Sequence, residues 1–364
     1  GGAETTYPEW QSVLATLSPP KEQFAYKPVY KDASTRIAET ADAQPKRAPA
    51  YDKVEPLHVA GNVFMIGGAG ANIAVSAGGD GIIMVDSGAA EASDKVLAAV
   101  RKASEALVPP EQPDSASPFG DTWQVTHAFR DPVIRMIINT SDSLDHVGGN
   151  ANIRMSPLFR PLGADGGANI AVIVAHENVQ NRMADRKAPE AALPTSVYSS
   201  DKYTIHRFLN NQAIQLVHMT NATTDGDSAV FFRRSDVLAT GDVYNSDVYP
   251  PIDVDRGGSI EGEIESLNRL TDMCVEEFMS QGGTLIVPGH GWLSDAGDLG
   301  YYRDMIIIVR DRVQKMIDSG MTLAQVKAAK PTLDYDPEYG REPGVTARFV
   351  EAVYRSLTEK KKAK

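Results

Sequence analysis

The sequence predicts an α+β fold in which two β-sheets pack face to face and helices cover their outer surfaces. Two observations carry that prediction. Short apolar runs arrive in two batches, and each batch is closed by segments of helical spacing. Gly or Asn separates most of the early runs, which joins the strands through tight turns. No internal repeat at a period of roughly 20–50 residues shows in the chain, which leaves out solenoids and propellers.

Residues 1–51 are rich in Pro, Lys and Ala and lack a sustained period, so they read as an extended arm carrying short helices. From Val54 the pattern changes. Val59, Val63 to Ile66, Asn72 to Val75 and Gly81 to Asp86 read as strands. Ala92 to Ala106 has helical spacing, with Val96, Leu97, Val100 and Leu107 on one side. Residues 108–131 are Pro-rich and aromatic and read as an insertion before a buried strand at 133–138.

Ile170 to Val174 reads as a strand, and His176 opens a helix that runs to about Arg186. Further strands are expected near 204–207, 213–219, 228–233 and 237–240. A helix capped by Ser259, with Glu261 and Glu263 in its first turn, is expected to reach about Ser280. Thr284 to Val287 reads as a strand, and the chain beyond about residue 297 as helices broken at Gly320, Pro331 and Pro343-Gly344. The expected organisation is thus an arm over 1–51, a main domain over 52–310 and a helical extension over 311–364 packed on it.

At 364 residues and 42% hydrophobic content the chain can bury a sizeable core. Its 36 Lys and Arg against 48 Asp and Glu give a net charge of −12, which counts against nucleic-acid partners. Cys274 is the only cysteine, so neither an intramolecular disulfide nor a cysteine-rich metal site is expected. No run approaches the 18 or so apolar residues of a membrane span. The start at Gly1-Gly2-Ala3 fits either a removed secretory signal or a tag remnant. The first places the protein in a periplasm or outside the cell, the second leaves it cytoplasmic.

The chemistry concentrates in Asn139-Thr140-Ser141-Asp142-Ser143-Leu144-Asp145-His146-Val147-Gly148-Gly149-Asn150, directly after the 133–138 strand. This stretch resembles the metallo-β-lactamase superfamily signature, in which a strand ends in Asn-Thr-His-x-His-x-Asp-His-x-Gly-Gly-Asn. Ser141 and Ser143 stand where that signature has histidines. The resemblance continues at Thr224-Asp225-Gly226-Asp227-Ser228, a turn the superfamily precedes with a His and this chain precedes with Thr223. It also covers Asp242 in Gly241-Asp242-Val243 and His290 in Pro288-Gly289-His290-Gly291.

The resemblance implies a four-layer αββα sandwich and a hydrolase-like protein. It further implies that the three histidines of a first metal site are replaced by Ser141, Ser143 and Thr223. The residues of a second site remain as Asp145, His146, Asp242 and His290. Two carboxylates and two imidazoles suit one Zn²⁺, with Fe²⁺ or Mn²⁺ as alternatives. No bound metal is the remaining outcome. Asp145, Asp242 and Asp142 are the carboxylates available as catalytic groups, although Asp142 points opposite Ser141 and Ser143 if the segment is extended. The expected substrate is a small ester, amide, lactone or thioester, and an efficient β-lactamase is not expected. The rival expectation is a non-catalytic pseudoenzyme whose cleft binds a ligand or partner. Oligomeric state is not legible.

Overall fold

The computed structural model describes residue 51 and residues 53–107, 133–159, 173–205, 209–275 and 283–362. The chain divides into units Gly1–Lys46 and Arg47–Lys364. The expected arm, save Tyr51 at its end, and the insertion at 108–131 lie outside the described residues.

Seven strands form the first sheet in sequence order: β1 (Glu55–Ala60), β2 (Val63–Ala69), β3 (Ala71–Ser76), β4 (Ile82–Val85), β5 (Ile134–Ile138), β6 (Ile173–His176) and β7 (Ser196–Tyr198). The first four are antiparallel neighbours, and β4 to β7 run parallel. Parallel neighbours need crossovers. Helix α1 (Ser93–Glu105) lies between β4 and β5, the short α2 (Leu144–Val147) and α3 (Asn150–Arg154) follow β5, and α4 (Glu177–Asp185) joins β6 to β7.

The second sheet has the order β12-β11-β10-β9-β8, built from β8 (Lys202–Thr204), β9 (Ile214–His218), β10 (Ser228–Phe232), β11 (Val237–Ala239) and β12 (Leu285–Val287). Only β11 and β12 are parallel here, and α5 (Ile260–Met273) supplies their crossover. The chain closes with α6 (Ala296–Asp318), α7 (Leu323–Ala329), α8 (Asp336–Tyr339) and α9 (Val345–Lys362).

Strand alternation assigns the layers. Successive side chains point to opposite faces of a strand, so β4 turns Ile83 and Val85 one way and Ile82 and Met84 the other. Ile83 and Val85 join Met136, Ile138, Leu216, Val230, Phe232 and Val237 in a core between the sheets. Ile82 and Met84 pack with Val96 and Val100 of α1 on the outer face of the first sheet. Val217, Leu238 and Ile286 meet α5, α6 and α9 on the outer face of the second. Helix, sheet, sheet and helix stack in four layers.

Local differences from the sequence expectation have physical causes. Helix α5 stops at Met273 rather than near Ser280, because Val275 exchanges hydrogen bonds with Thr284 at the entrance to β12. That pairing draws Cys274 into an extended conformation (φ −82°, ψ 146°). Strand β8 falls slightly earlier than expected, and the three-residue β7 carries too short a pattern to be read in advance. No helix among the described residues is long and apolar enough to cross a membrane.

Candidate metal centre

Four strand ends converge on one point. Asp86 follows β4, the α2 turn follows β5, Asp242 follows β11 and His290 follows β12. Parallel sheets commonly place ligand sites at such carboxyl ends.

His146 is fixed first. Its carbonyl accepts from Ser87 N (2.8 Å), Gly88 N (3.1 Å) and Ser87 Oγ (3.1 Å). Gly149 permits this approach, since a Cβ there would lie 2.4 Å from Ser87 O. The ring is then oriented by Asp86, whose Oδ2 lies 2.7 Å from His146 Nδ1. Asp86 also accepts from Thr140 N (2.8 Å) and Thr140 Oγ1 (2.6 Å). It does so from a left-handed backbone (φ 65°), a conformation that Asp tolerates better than most side chains. Asp86 was not legible as a site residue. An Asp at a strand end before Ser87-Gly88 was the available signal.

Asp242 sits in a tight turn, Gly241–Val243, after β11. Gly241 has φ +54°, and a Cβ on it would meet Thr140 Oγ1 at 2.6 Å. The His290 loop is clamped from the other sheet by Asn72 of β3. The Asn72 side chain donates to Pro288 O (3.1 Å) and Gly291 O (3.0 Å), and its backbone N–H to Gly289 O (2.8 Å).

The structure brings Asp145, His146, Asp242 and His290 together. One ligand atom each from Asp145, His146 and His290 falls within a mutual 4.8 Å. Asp242 Oδ1 lies 3.3 Å from His146 Nε2 and 3.6 Å from His290 Nε2, and His290 Nε2 lies 3.0 Å from Asp145 Oδ2. Side-chain exposure rises from 0% at His146 and 7% at Asp242 to 29% at His290 and 38% at Asp145, so the cluster has a floor and a mouth.

The field of this cluster is acidic. Burial alone would lower the pKa of His146, but Asp242 and Asp86 raise it well above the ordinary imidazole value. Burial opposes His290 likewise, and Asp145 with Asp242 lifts it. Desolvation pushes the two carboxyls up, yet His290 and His146 hold Asp145 below the usual range, and His146 does the same for Asp242.

These residues fit a metal ion. His146 Nε2 and Asp242 Oδ1 are buried and face each other at 3.3 Å, an ion pair outside hydrogen-bond geometry. Asp86 on Nδ1 leaves Nε2 of His146 as the donor atom, the arrangement usual for metal-binding histidines. Two imidazole nitrogens and two carboxylate oxygens complete the donor set.

The remaining predicted positions lie differently. Ser143 donates twice, from its hydroxyl to Asp145 Oδ1 and from its backbone N–H to Ser141 Oγ (3.2 Å). Thr223 Oγ1 donates to Asp227 Oδ2 (2.7 Å). Asp142 is bound by Arg256 (2.9 Å), Arg186 (3.3 Å) and Arg182 (3.4 Å), and it does not line the cavity above the cluster. The Asp142 oxygens serve three guanidinium groups.

Solved structures share the fold that carries this cluster. A double mutant of the sec-alkyl sulfatase PisA1 aligns with a TM-score of 0.56 at 13% identity, over 84% of this chain and 50% of that one. The stereoselective inverting sec-alkylsulfatase Pisa1 from Pseudomonas sp. aligns at 0.55 and 12% identity, over 83% and 50%. DIM-1 metallo-β-lactamase aligns at 0.49 and 12% identity, over 70% and 97%. The chain has the metallo-β-lactamase fold. At these identities the likeness is one of fold, and the chain spans about half the length of the alkylsulfatase chains it matches. No protein-family model matches the sequence, and no curated protein does. In this metallo-β-lactamase fold the four clustered residues occupy the strand ends facing a cavity of about 980 Å³, lined on the cluster side by Asp145, Asp242 and His290.

Proposed function

We propose that the protein is a mononuclear metal-dependent hydrolase acting on a small ester, amide, lactone or thioester. The observation that carries this reading is the convergence of buried His146 Nε2 and Asp242 Oδ1, 3.3 Å apart, with Asp145 and His290 beside them at an open cavity. Asp145, His146, Asp242 and His290 would hold one divalent ion, Zn²⁺ by donor preference and Fe²⁺ or Mn²⁺ as alternatives. When bound, such an ion polarises a carbonyl and acidifies water. Asp86 holds the His146 ring, and Asn72 holds the His290 loop. Asp145 and Asp242 stay ionised at neutral pH and are the groups able to take a proton from attacking water.

The histidines of a first site are replaced in this reading by Ser141, Ser143 and Thr223. Their hydroxyls are engaged locally with Ser143, Asp145 and Asp227, which supports a centre of one metal. An efficient β-lactamase is not proposed. The second reading is a ligand-binding pseudoenzyme. It is favoured by the Asp145–His290 contact at 3.0 Å, which satisfies both groups at the mouth through each other.

Metal analysis of protein purified without added metal tests the proposal. One equivalent of Zn, Fe or Mn, lost on His290→Ala, together with turnover in an ester and lactone panel, is the expected result. Stoichiometric metal without turnover moves the protein to a metal-binding scaffold. No metal leaves the pseudoenzyme reading. Installing histidine at all three replaced positions (Ser141→His, Ser143→His, Thr223→His) should raise the stoichiometry to two.

A further inference from the structure

Part of the cavity wall is made by a helix face. Val345, Arg348, Phe349, Ala352 and Arg355 of α9 recur at helical spacing and line the same cavity as Asp145, Asp242 and His290. The loop after Asp242 also lines it, with Tyr249, Pro250, Pro251 and Ile252. The lining thus combines the carboxylates of the cluster, apolar residues of this loop and of α9, and arginines interleaved with Asp247, Asp253, Glu342 and Glu351.

The arginines around it are not equivalent. Arg355 is paired with Asp255 and Glu359, and Arg256 with Asp253 and Asp142. Arg341 gives its Nε to Pro337 O (3.0 Å) and acts electrostatically on Asp247, as Glu342 also does. Glu351, on the same wall, is taken by Lys327 at 2.6 Å. The Arg348 side chain has no hydrogen-bond or ion-pair partner among the described residues. Arg348 is exposed where it lines the cavity beside Val345 and Phe349, and in a chain of net charge −12 its guanidinium is available to an anion.

We infer that the substrate is an anionic amphiphile: a hydrolysable group set at Asp145, Asp242 and His290, an apolar segment along Val345, Phe349 and Ala352, and an oxyanion terminus bound by Arg348. The volume suits a molecule of that kind. This rests on the hydrolase reading for the reacting end, but the anion subsite stands on α9 alone.

Two arms of one experiment on the full chain separate the two claims. In the first, kcat/KM is measured for mono-p-nitrophenyl adipate, which carries a free carboxylate, and for p-nitrophenyl hexanoate, which does not. The wild type should prefer the charged ester by about 10–100-fold, the range of a charge-assisted hydrogen-bonded pair. In Arg348→Gln that preference should collapse toward unity, chiefly through KM, with partial recovery in Arg348→Lys. In the second arm, calorimetry follows octanoate, octyl sulfate and the neutral octanamide binding to the wild type and to Arg348→Gln. The anions should bind more tightly, the difference should vanish in the variant, and their order identifies carboxylate or sulfate as the preferred head. Anion binding that depends on Arg348 without turnover of either ester upholds the subsite and sinks the hydrolase reading. Equal treatment of charged and neutral ligands, or a preference unchanged in Arg348→Gln, overturns the inference whether or not esters are hydrolysed.

Discussion

Asp86 Oδ2 and His146 Nδ1 meet at 2.7 Å in the buried floor of the cavity, joining the end of β4 to the turn after β5. This contact sets which ring nitrogen of His146 faces Asp242. Asp86→Asn replaces a carboxylate acceptor by an amide that can present its N–H to the ring, so His146 loses both its tautomer bias and its anchoring. Metal affinity in Asp86→Asn should fall by about 10–100-fold, the usual cost of losing a carboxylate behind a metal-binding histidine. Competition with a chromogenic chelator measures it, and unchanged affinity would remove Asp86 from the centre.

Gly241→Ala tests the turn that carries Asp242. The new Cβ would need φ near +54° and would sit 2.6 Å from Thr140 Oγ1, the hydroxyl that also bonds Asp86. Strain of this kind costs about 1–3 kcal/mol. Urea unfolding should show that loss together with weaker metal binding, since Thr140 and Asp242 must both move.

Asp142→Ala distinguishes a structural carboxylate from a catalytic one. Removing it strips a shared partner from Arg182, Arg186 and Arg256, and stability should drop by about 1.5–3 kcal/mol. Metal stoichiometry should stay at the wild-type value. A variant of wild-type stability that had lost turnover would return Asp142 to the chemistry.

His176 predicts an acid limb in stability. It caps α4 and stacks on His218 at 3.9 Å, and burial, with His218 and Arg182 adding to it, pushes its pKa down to about 4. A folded-state value below the ordinary imidazole value favours the neutral ring in the fold. The contribution is present above about pH 6.5 and is lost as pH falls through about 4. Unfolding free energies measured across that window should decline more steeply in the wild type than in His176→Gln. Parallel curves would show that His176 titrates alike in both states.

Much of this was readable from the sequence because the pattern was local. The unbroken apolar run Ile82 to Val85 gave strand β4, and Ser259 with its acidic first turn gave the start of α5. Asp145, His146, Asp242 and His290 were visible through the resemblance to the superfamily signature, in the expected order and next to strand ends. Their mutual distances were not visible, since these are fixed by packing of Val85, Ile138, Ala239 and Val287 between the sheets. Asp86 escaped notice because its partner lies 60 residues away. Arg348 did so because a helical arginine looks the same whether it faces solvent or a cavity. The surroundings of Asp142 were hidden for a related reason: its three arginines arrive from α4, its flank and a turn before α5, none of them near in sequence.

The Asn72 clamp has a consequence for folding. Asn72 belongs to the first sheet, and the loop it grips, 216 residues further along, belongs to the second. The ligands divide the same way, with Asp145 and His146 after β5 and Asp242 and His290 after β11 and β12. Neither half-chain holds the centre by itself, so an ion bound there acts as a rivet across the seam. At a free concentration one hundred times its dissociation constant it would add about 2.7 kcal/mol to the docking of one sheet on the other. Chelation should therefore loosen the molecule along that seam before either sheet melts, and the Asn72 amide is the place where hydrogen exchange would first record it.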